Sequence, residues 1–210
     1  MDVTGAGDTV NSIIALGIII NLPVEDVCEI ANLYASSFIK KTGTPKLYFY
    51  EIFKALDTPV ELSLSDLTIL TGYLKKYEKY KIGVTTGCFD VFHSGHLLSL
   101  KYARKNCDLL VVLLKSDASV KKLKGRSRPV NCLKHRKSLL ISLGFIDLVC
   151  VFHTKDASDV FDRIHFDILF KGRDKDLERL KIKYPKVDVV LSEDCENIST
   201  SMIISKIKSS

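Results

Sequence analysis

The sequence lacks a hydrophobic run long enough to cross a bilayer. Its apolar stretch over residues 13–22 is interrupted by Gly17 and Asn21, and it is shorter than the roughly 20 residues that a membrane helix needs. The N-terminus also lacks the basic segment that opens a secretory signal, because Asp2 and Asp8 stand there. We therefore expect a cytoplasmic protein with no membrane partner.

The six cysteines lack the close spacing that marks a zinc or redox site. They are scattered along the chain, at positions 28, 88, 107, 132, 150 and 195. In a cytoplasmic protein such cysteines are expected to be free thiols, and no metal site formed by protein side chains is predicted. We interpret Cys88 as a residue that packs a loop, and a nucleophilic thiol is the alternative.

Positive charge exceeds negative charge by six, and lysines supply most of it. They concentrate over residues 75–81, which we interpret as a solvated face, and over residues 115–128, where an anionic substrate is the natural partner. Aromatic residues do not alternate with the basic ones, as a stacking platform for nucleic acid requires. We expect no nucleic-acid partner.

From Lys81 onward, strand and helix patterns alternate. Apolar runs predict strands, and periodic patterns between them predict helices; the strands fall at 82–86, 109–114, 148–152, 168–170 and 187–191, and the helices near 95–105, 133–143, 157–164 and 200–207. This alternation predicts an α/β fold with a Rossmann-like parallel sheet. Ligands of such sheets bind at the carboxyl ends of the strands, where the strand order reverses.

The loop after the first of these strands has the features of a phosphate-binding loop. Residues 87–96 read Gly-Cys-Phe-Asp-Val-Phe-His-Ser-Gly-His and lead into a helical pattern. Free backbone N–H groups at a helix start attract anions, and Gly95 lets a phosphate approach the backbone closely. His93 and His96 lie on either side of it, so both rings can converge on one phosphate.

This segment resembles the His-x-Gly-His signature of the cytidylyltransferase-like nucleotidyltransferases. Further segments resemble the branch of that family that adenylates heptose 1-phosphate: Ser116-Asp117, Leu123-Lys124-Gly125, Arg128-Pro129-Val130-Asn131, Lys171-Gly172 and Ser199-Thr200. The resemblance covers residues 81–210. It implies transfer of AMP from ATP to a sugar 1-phosphate, with Mg²⁺ bound to the nucleotide.

The resemblance also implies roles for individual residues. His93, His96 and Lys124 are the expected catalytic residues. The expected nucleotide-binding residues are Thr86, Gly87, Cys88, Phe89, Asp90, Gly95, Lys121, Arg136, Lys171, Gly172, Ser199, Thr200 and Ser201. For Arg136, an ordinary surface arginine is the alternative, and for residues 199–201 simple helix capping is a compatible second role.

A second motif, Gly5-Ala6-Gly7-Asp8, precedes a long apolar helical pattern that starts at Val10. It resembles a signature of the ribokinase-like (PfkB) sugar kinases, in which the glycines form an anion hole and the aspartate matching Asp8 is the catalytic base. We interpret residues 1–58 as a C-terminal fragment of such a domain, from a truncated gene, a split gene or an excised piece, followed by a linker helix over 59–80. The sugar site of these kinases lies upstream, so kinase activity is not expected. The alternative interpretation of residues 1–58 is a helical cap on the second domain that carries out no chemistry.

Three rival functions remain open at this point. The first is the same chemistry with CTP and glycerol 3-phosphate, and the second is a non-catalytic subunit that binds nucleotide. The third is a sugar kinase that acts through Asp8. A homodimer or a separate kinase polypeptide is the expected protein partner, and ATP and a sugar 1-phosphate are the expected small-molecule partners.

Overall fold

The computed structural model describes residues 5–19, 23–39, 60–78, 80–154, 156–172, 177–191 and 200–209. The chain divides into two compact units, Met1–Asp57 and Thr58–Ser210. Within the described ranges, no helix is both long and apolar enough to cross a membrane.

The described part of the first unit is a pair of packed helices, α1 (Ala6–Ile19) and α2 (Val24–Ile39). Ile13 and Ile30 are each 1% exposed, so the two helices bury apolar side chains. A Cβ atom at Gly17 would lie 2.3 Å from Cγ2 of Val27, so the absence of a side chain there allows α2 to approach. The predicted helix is confirmed, although it starts at Ala6. The sequence also predicts an extended segment over 47–50 and a helix over 51–56, and both lie outside the described residues.

The second unit contains a six-stranded sheet in which all neighbouring strands are parallel. The strands are β1 (Val60–Leu62), β2 (Ile82–Gly87), β3 (Leu109–Lys115), β4 (Leu148–Phe152), β5 (Ile168–Lys171) and β6 (Asp188–Leu191). Their order is β1-β4-β3-β2-β5-β6. The chain moves outward from β2 to β3 and β4, then crosses back to β5 on the other side. The strand order therefore reverses at β2.

Helices of the second unit connect or follow these strands. They are α3 (Leu64–Tyr73), which continues as a π-helical turn (Leu74–Glu78), α4 (Ser94–Lys105), α5 (Asp117–Lys124), α6 (Leu133–Ile141), α7 (Ser158–Phe161), α8 (Leu177–Lys183) and α9 (Thr200–Ser209). All seven residues of β3 are buried, so both faces of this strand are covered. This burial explains its continuous apolar sequence.

The five predicted strands and the parallel α/β fold are confirmed. The segment 59–80 differs from the predicted linker helix, because Val60–Leu62 pairs with β4 and extends the sheet. The second compact unit accordingly begins at Thr58, before the predicted boundary at Lys81. Ser63 starts α3 as its N-cap, since its Oγ accepts a hydrogen bond from the backbone N–H of Asp66 (3.2 Å). Helices α5 and α8 were not predicted.

Candidate active site

The cleft of the second unit lies where the strand order reverses. Its volume is about 740 Å³. It is lined by the ends of β2, β3 and β5 and by the segments that follow β3, β4 and β5, which contribute Thr86, Gly87, Cys88, Lys115, Leu123, Lys124, Asp156, Ala157, Ser158, Phe161, Lys171, Arg179, Leu180 and Lys183. This is the position expected for a ligand in an open parallel sheet.

The two histidines of the loop after β2 face each other. Their ring centroids are 3.9 Å apart and the rings are inclined by 26°. His93 is the N-cap residue of α4, with an extended backbone, and His96 follows in the first turn. Phe92 stacks on His96 with a centroid distance of 5.4 Å, which holds the ring in place. The two rings lie together, as the sequence predicts, although neither histidine is among the residues that line the cleft, and their convergence on a phosphate stays a prediction.

Desolvation sets the charge state of His96. Burial, helped by the nearby charges of His93 and Lys124, lowers the pKa of His96 from 6.5 to about 4. Its ring is therefore neutral at pH 7 in the absence of a ligand. Nδ1 of His96 is buried without a hydrogen-bond partner among the described residues. A partly desolvated imidazole beside a lysine is suited to bind an anion. The negative charge of the anion favours the protonated imidazole, which burial alone disfavours.

Gly87 and Phe89 determine the shape of this loop. Phe89 has a backbone φ of 46°, a left-handed conformation that is rare for a residue with a side chain, and its ring is buried in the core. A Cβ atom at Gly87 would lie 2.7 Å from Cε2 of that ring. The predicted nucleotide-binding role of Phe89 therefore does not extend to its side chain, which packs inward.

Asp90 joins the histidine loop to the segment after α5. Its carboxylate is 2% exposed, pairs with Arg128, and accepts a hydrogen bond from the backbone N–H of Asn131 (2.9 Å). The side-chain amide of Asn131 donates in turn to the carbonyl of Asp90 (2.5 Å). The structure thus assigns the side chain of Asp90 to loop positioning instead of the predicted contact with nucleotide.

Arg136 is a correction to the sequence prediction. Its side chain has no exposed surface. Nη1 donates to the carbonyls of Cys88 (2.6 Å) and Lys115 (2.8 Å), Nε donates to the carbonyl of Asn131 (3.0 Å), and Nη2 pairs with Asp117 (2.7 Å). A guanidinium occupied in this way cannot reach a phosphate. It ties together the ends of β2 and β3, and the alternative of an ordinary surface arginine is wrong as well.

The two lysines predicted for the site after β3 differ in position. Lys124 lines the cleft at the end of α5 and lies close enough to His96 to affect its pKa. Lys121 is exposed on the same helix and is not among the residues that line the cleft. Gly125 ends the helix with a φ of 92°, a conformation that favours glycine.

The last helix starts next to the histidine loop. Thr200 is 8% exposed, and its Oγ1 donates to the carbonyl of Val91 (3.3 Å). Ser201 is exposed in the same turn, whereas Ser199 lies outside the described residues. The structure therefore brings Thr200 next to the histidine loop, although it is not among the residues that line the cleft. Lys171 lines the cleft.

The remaining predicted residues of the site are distributed as follows. Thr86 and Cys88 are half-buried and line the cleft, and Thr86 Oγ1 is buried without a partner among the described residues. Gly95 is buried in the first turn of α4, and Gly172 is exposed after β5. Lys115 and Asp156 line the cleft and were missed as site residues. The available signal was position, since Lys115 ends one apolar strand and Asp156 follows another.

The motif of the first unit forms the start of α1. Gly5 has a φ of 87°, and its carbonyl accepts hydrogen bonds from the backbone N–H and the hydroxyl of Thr9 (3.0 and 2.9 Å). Ala6 and Gly7 occupy the first turn together with Asp8, which is exposed. The vestigial kinase role of these residues stays a prediction.

Comparison with known proteins agrees with this geometry. A family model described as cytidylyltransferase-like matches residues 84–206. The chain is 37% identical to the bifunctional protein HldE of Campylobacter concisus and 39% identical to that of Helicobacter pylori, over 99% of this chain. It spans 45% and 44% of the lengths of these relatives, so it corresponds to less than half of each.

A solved structure with a similar fold is the lipopolysaccharide core biosynthesis protein from Thermoplasma volcanium. It aligns with a TM-score of 0.50 and 27% identity, over 56% of this chain and 99% of that one. The matched family model covers most of β2, strands β3 to β6, the paired histidines and most of the last helix, whereas β1 lies outside it. The chain belongs to the cytidylyltransferase-like family.

Proposed function

We propose that this protein is a nucleotidyltransferase that transfers AMP from ATP to D-glycero-β-D-manno-heptose 1-phosphate, giving ADP-heptose and pyrophosphate for lipopolysaccharide core synthesis. The observation that supports it most is the pair of stacked imidazoles at the end of β2, with Lys124 close to His96. The motif resemblance and the names of the matched relatives support the choice of pathway.

In this proposal a phosphate oxygen of the sugar attacks the α-phosphorus of ATP. The bond from that phosphorus to the oxygen bridging to the β-phosphorus breaks, and pyrophosphate leaves. A sugar phosphate is already an anionic nucleophile at neutral pH, so the protein has to align the reactants and stabilise charge. His93 and His96 bind the α-phosphate, Lys124 neutralises charge beside it, and the N-terminus of α9 with Thr200 receives the terminal phosphates.

The lining of the cleft fits a Mg²⁺ ion that arrives with the nucleotide. Among the described residues that line it, Asp156 supplies the only carboxylate, and no group of three or more candidate ligands occurs in the described chain. Mg²⁺ commonly keeps several waters and binds through substrate phosphates. When bound, it would neutralise phosphate charge, and Lys124 and Lys171 would orient the phosphates around it.

The N-terminal unit and the partners belong to the same proposal. We infer that residues 1–58 derive from a ribokinase-like domain, because the matches to the bifunctional relatives extend over 99% of this chain. A homodimer or a separate kinase polypeptide would then be the protein partner, and the cytoplasm would be the compartment that supplies ATP.

The test is pyrophosphate release by the full chain with ATP or CTP, each combined with heptose 1-phosphate, other sugar 1-phosphates or glycerol 3-phosphate. The proposal predicts the highest kcat/KM for ATP with heptose 1-phosphate. A preference for CTP and glycerol 3-phosphate would replace it with the rival cytidylyltransferase. Nucleotide binding without pyrophosphate release for any pair would favour a non-catalytic subunit.

A further inference from the structure

Lys115 is a buried charged residue to which the proposed reaction gives no role. It ends β3, whose other residues are apolar and buried. The residue is 9% exposed, lines the cleft, and its Nζ lies 4.5 Å from the ring centroid of Phe152. A partly desolvated ammonium interacts more strongly with a polar ligand than one in water, because the surrounding dielectric is lower.

A fixed carboxylate stands on the same wall of the cleft. Oδ1 of Asp156 accepts hydrogen bonds from the backbone N–H (3.0 Å) and the hydroxyl (3.1 Å) of Ser158, which orients the carboxylate. Lys115 pairs in register with Phe152, the last residue of β4, and Asp156 follows Phe152 by four residues, so both lie at the same end of these two strands. Burial lowers the pKa of Lys115, while the charges of Cys88 and Asp156 act in the opposite direction. Both side chains line the cleft.

A neighbouring donor and acceptor suit hydroxyl groups better than a phosphate. A hydroxyl both donates and accepts, so two adjacent hydroxyls satisfy an ammonium and a carboxylate at once. A phosphate would be attracted by Lys115 but repelled by Asp156. This wall therefore favours the neutral, hydroxylated part of a substrate.

The strand order indicates which substrate this wall faces. β3 and β4 lie on one side of β2, whereas β5 and β6 lie on the other. Lys115 ends β3 and Asp156 follows β4, while of the proposed nucleotide contacts Lys171 ends β5 and Thr200 follows β6. In-line displacement requires the attacking and leaving oxygens on opposite sides of the phosphorus. The acceptor sugar therefore approaches from the side of Lys115.

We propose that Lys115 and Asp156 bind adjacent hydroxyl groups of the acceptor, Lys115 as donor and Asp156 as acceptor. The proposal rests on the transferase function proposed above and adds the residues that choose its acceptor.

The experiment measures KM for heptose 1-phosphate and for ATP in the full chain and in Lys115→Gln and Asp156→Asn. Loss of a hydrogen bond to a charged group predicts a rise of about 10- to 100-fold in acceptor KM, while ATP KM should stay within about twofold of wild type. Lys122→Gln is the matched control, since Lys122 is exposed on α5 and is not among the lining residues. It should change neither KM.

Deoxy analogues of the acceptor separate recognition from a structural effect. Removing the hydroxyl that Lys115 binds should reduce kcat/KM of the wild type by about 10-fold or more and that of Lys115→Gln by much less. Equal losses in both proteins would overturn the proposal. A rise in ATP KM equal to that in acceptor KM would overturn it as well.

Two further measurements keep the outcomes distinct. Asp156 is exposed to the cleft, so Asp156→Asn tests the proposal even if Lys115→Gln does not fold. If the wild type releases no pyrophosphate with any acceptor, the proposed function fails. Calorimetric titration with heptose 1-phosphate then decides the inference: weaker binding to Asp156→Asn than to wild type supports it, and equal or absent binding overturns it.

Discussion

The two glycine-containing helix starts of this chain look alike in sequence and differ in structure. At the start of α1, Asp8 is exposed, and a Cβ atom at Gly7 would meet no heavy atom within 4 Å. In the loop that leads from β2 into α4, a Cβ atom at Gly87 would collide with Phe89, and His96 is desolvated. The difference lies in the surroundings: strand ends and buried side chains enclose the second motif. A glycine-rich helix start becomes a candidate site when a sheet edge supplies these walls.

The largest expected effect comes from removing the support of the enclosed motif. Arg136→Met leaves three backbone carbonyls and Asp117 without their donor. We expect a loss of about 3–5 kcal/mol in the free energy of unfolding, measured by urea denaturation. Lys137→Met is the control, because the Lys137–Glu61 pair is partly exposed and should contribute less than about 1 kcal/mol. A loss below about 1 kcal/mol for Arg136→Met would refute the supporting role.

The second effect compares the reactive side chains of the two motifs. His96→Ala should lower kcat/KM for pyrophosphate release by roughly 10²–10³-fold, as expected when a preorganised stabiliser of transition-state charge is lost. Asp8→Ala should leave this rate unchanged. His135→Ala, at an exposed position on α6, controls for loss of a histidine elsewhere. A near-normal rate for His96→Ala would remove His96 from the mechanism.

The third effect compares the glycines directly. Gly87→Ala places a methyl group against the ring of Phe89 and should destabilise the protein by about 1–3 kcal/mol. Gly7→Ala meets open space within a helix and should be neutral or stabilise α1 by up to about 1 kcal/mol. Thermal unfolding of both variants measures the contrast. Equal effects would contradict the difference in enclosure.

The smallest expected effect is a pH dependence of stability. Because the pKa of His96 is 6.5 when unfolded and about 4 when folded, the unfolded chain binds the extra proton between these values. The contribution of His96 to the free energy of unfolding is therefore fully present above pH 6.5 and is lost as the pH falls towards 4. Allowing for partial exposure, we expect the free energy of unfolding to fall by about 2 kcal/mol more in wild type than in His96→Asn over this range. If the free energy of unfolding depends on pH identically in the two proteins, the desolvation of His96 is refuted.

The fold was predictable because its strands are continuous apolar runs, as burial on both faces requires. The three-residue strand β1 was missed because Val60–Leu62 is too short to show a pattern. Helix α5 was not predicted, although Ser116 at its start is a capping signal, since Ser116 Oγ accepts a hydrogen bond from the backbone N–H of Ser119.

The site was predictable in its motif and less so in the roles of single residues. The convergence of His93 and His96 followed from their spacing around a helix start. The buried position of Arg136 had one signal, since Arg136 and Leu140 lie four residues apart on the buried face of α6. Its partners are backbone carbonyls of distant loops, and those appear only once the sheet brings them together. The same holds for Lys115 and Asp156, which follow different strands.

The most direct test of the central claim follows the phosphorus atoms of ATP. The full chain is incubated with heptose 1-phosphate and with ATP labelled at either the α- or the γ-phosphorus. If the paired histidines bind the α-phosphate of the reacting nucleotide, the α-label appears in the nucleotide sugar and the γ-label appears in pyrophosphate. Transfer of the γ-label to the sugar, with release of ADP, would contradict the account and assign the chemistry to the motif at Asp8.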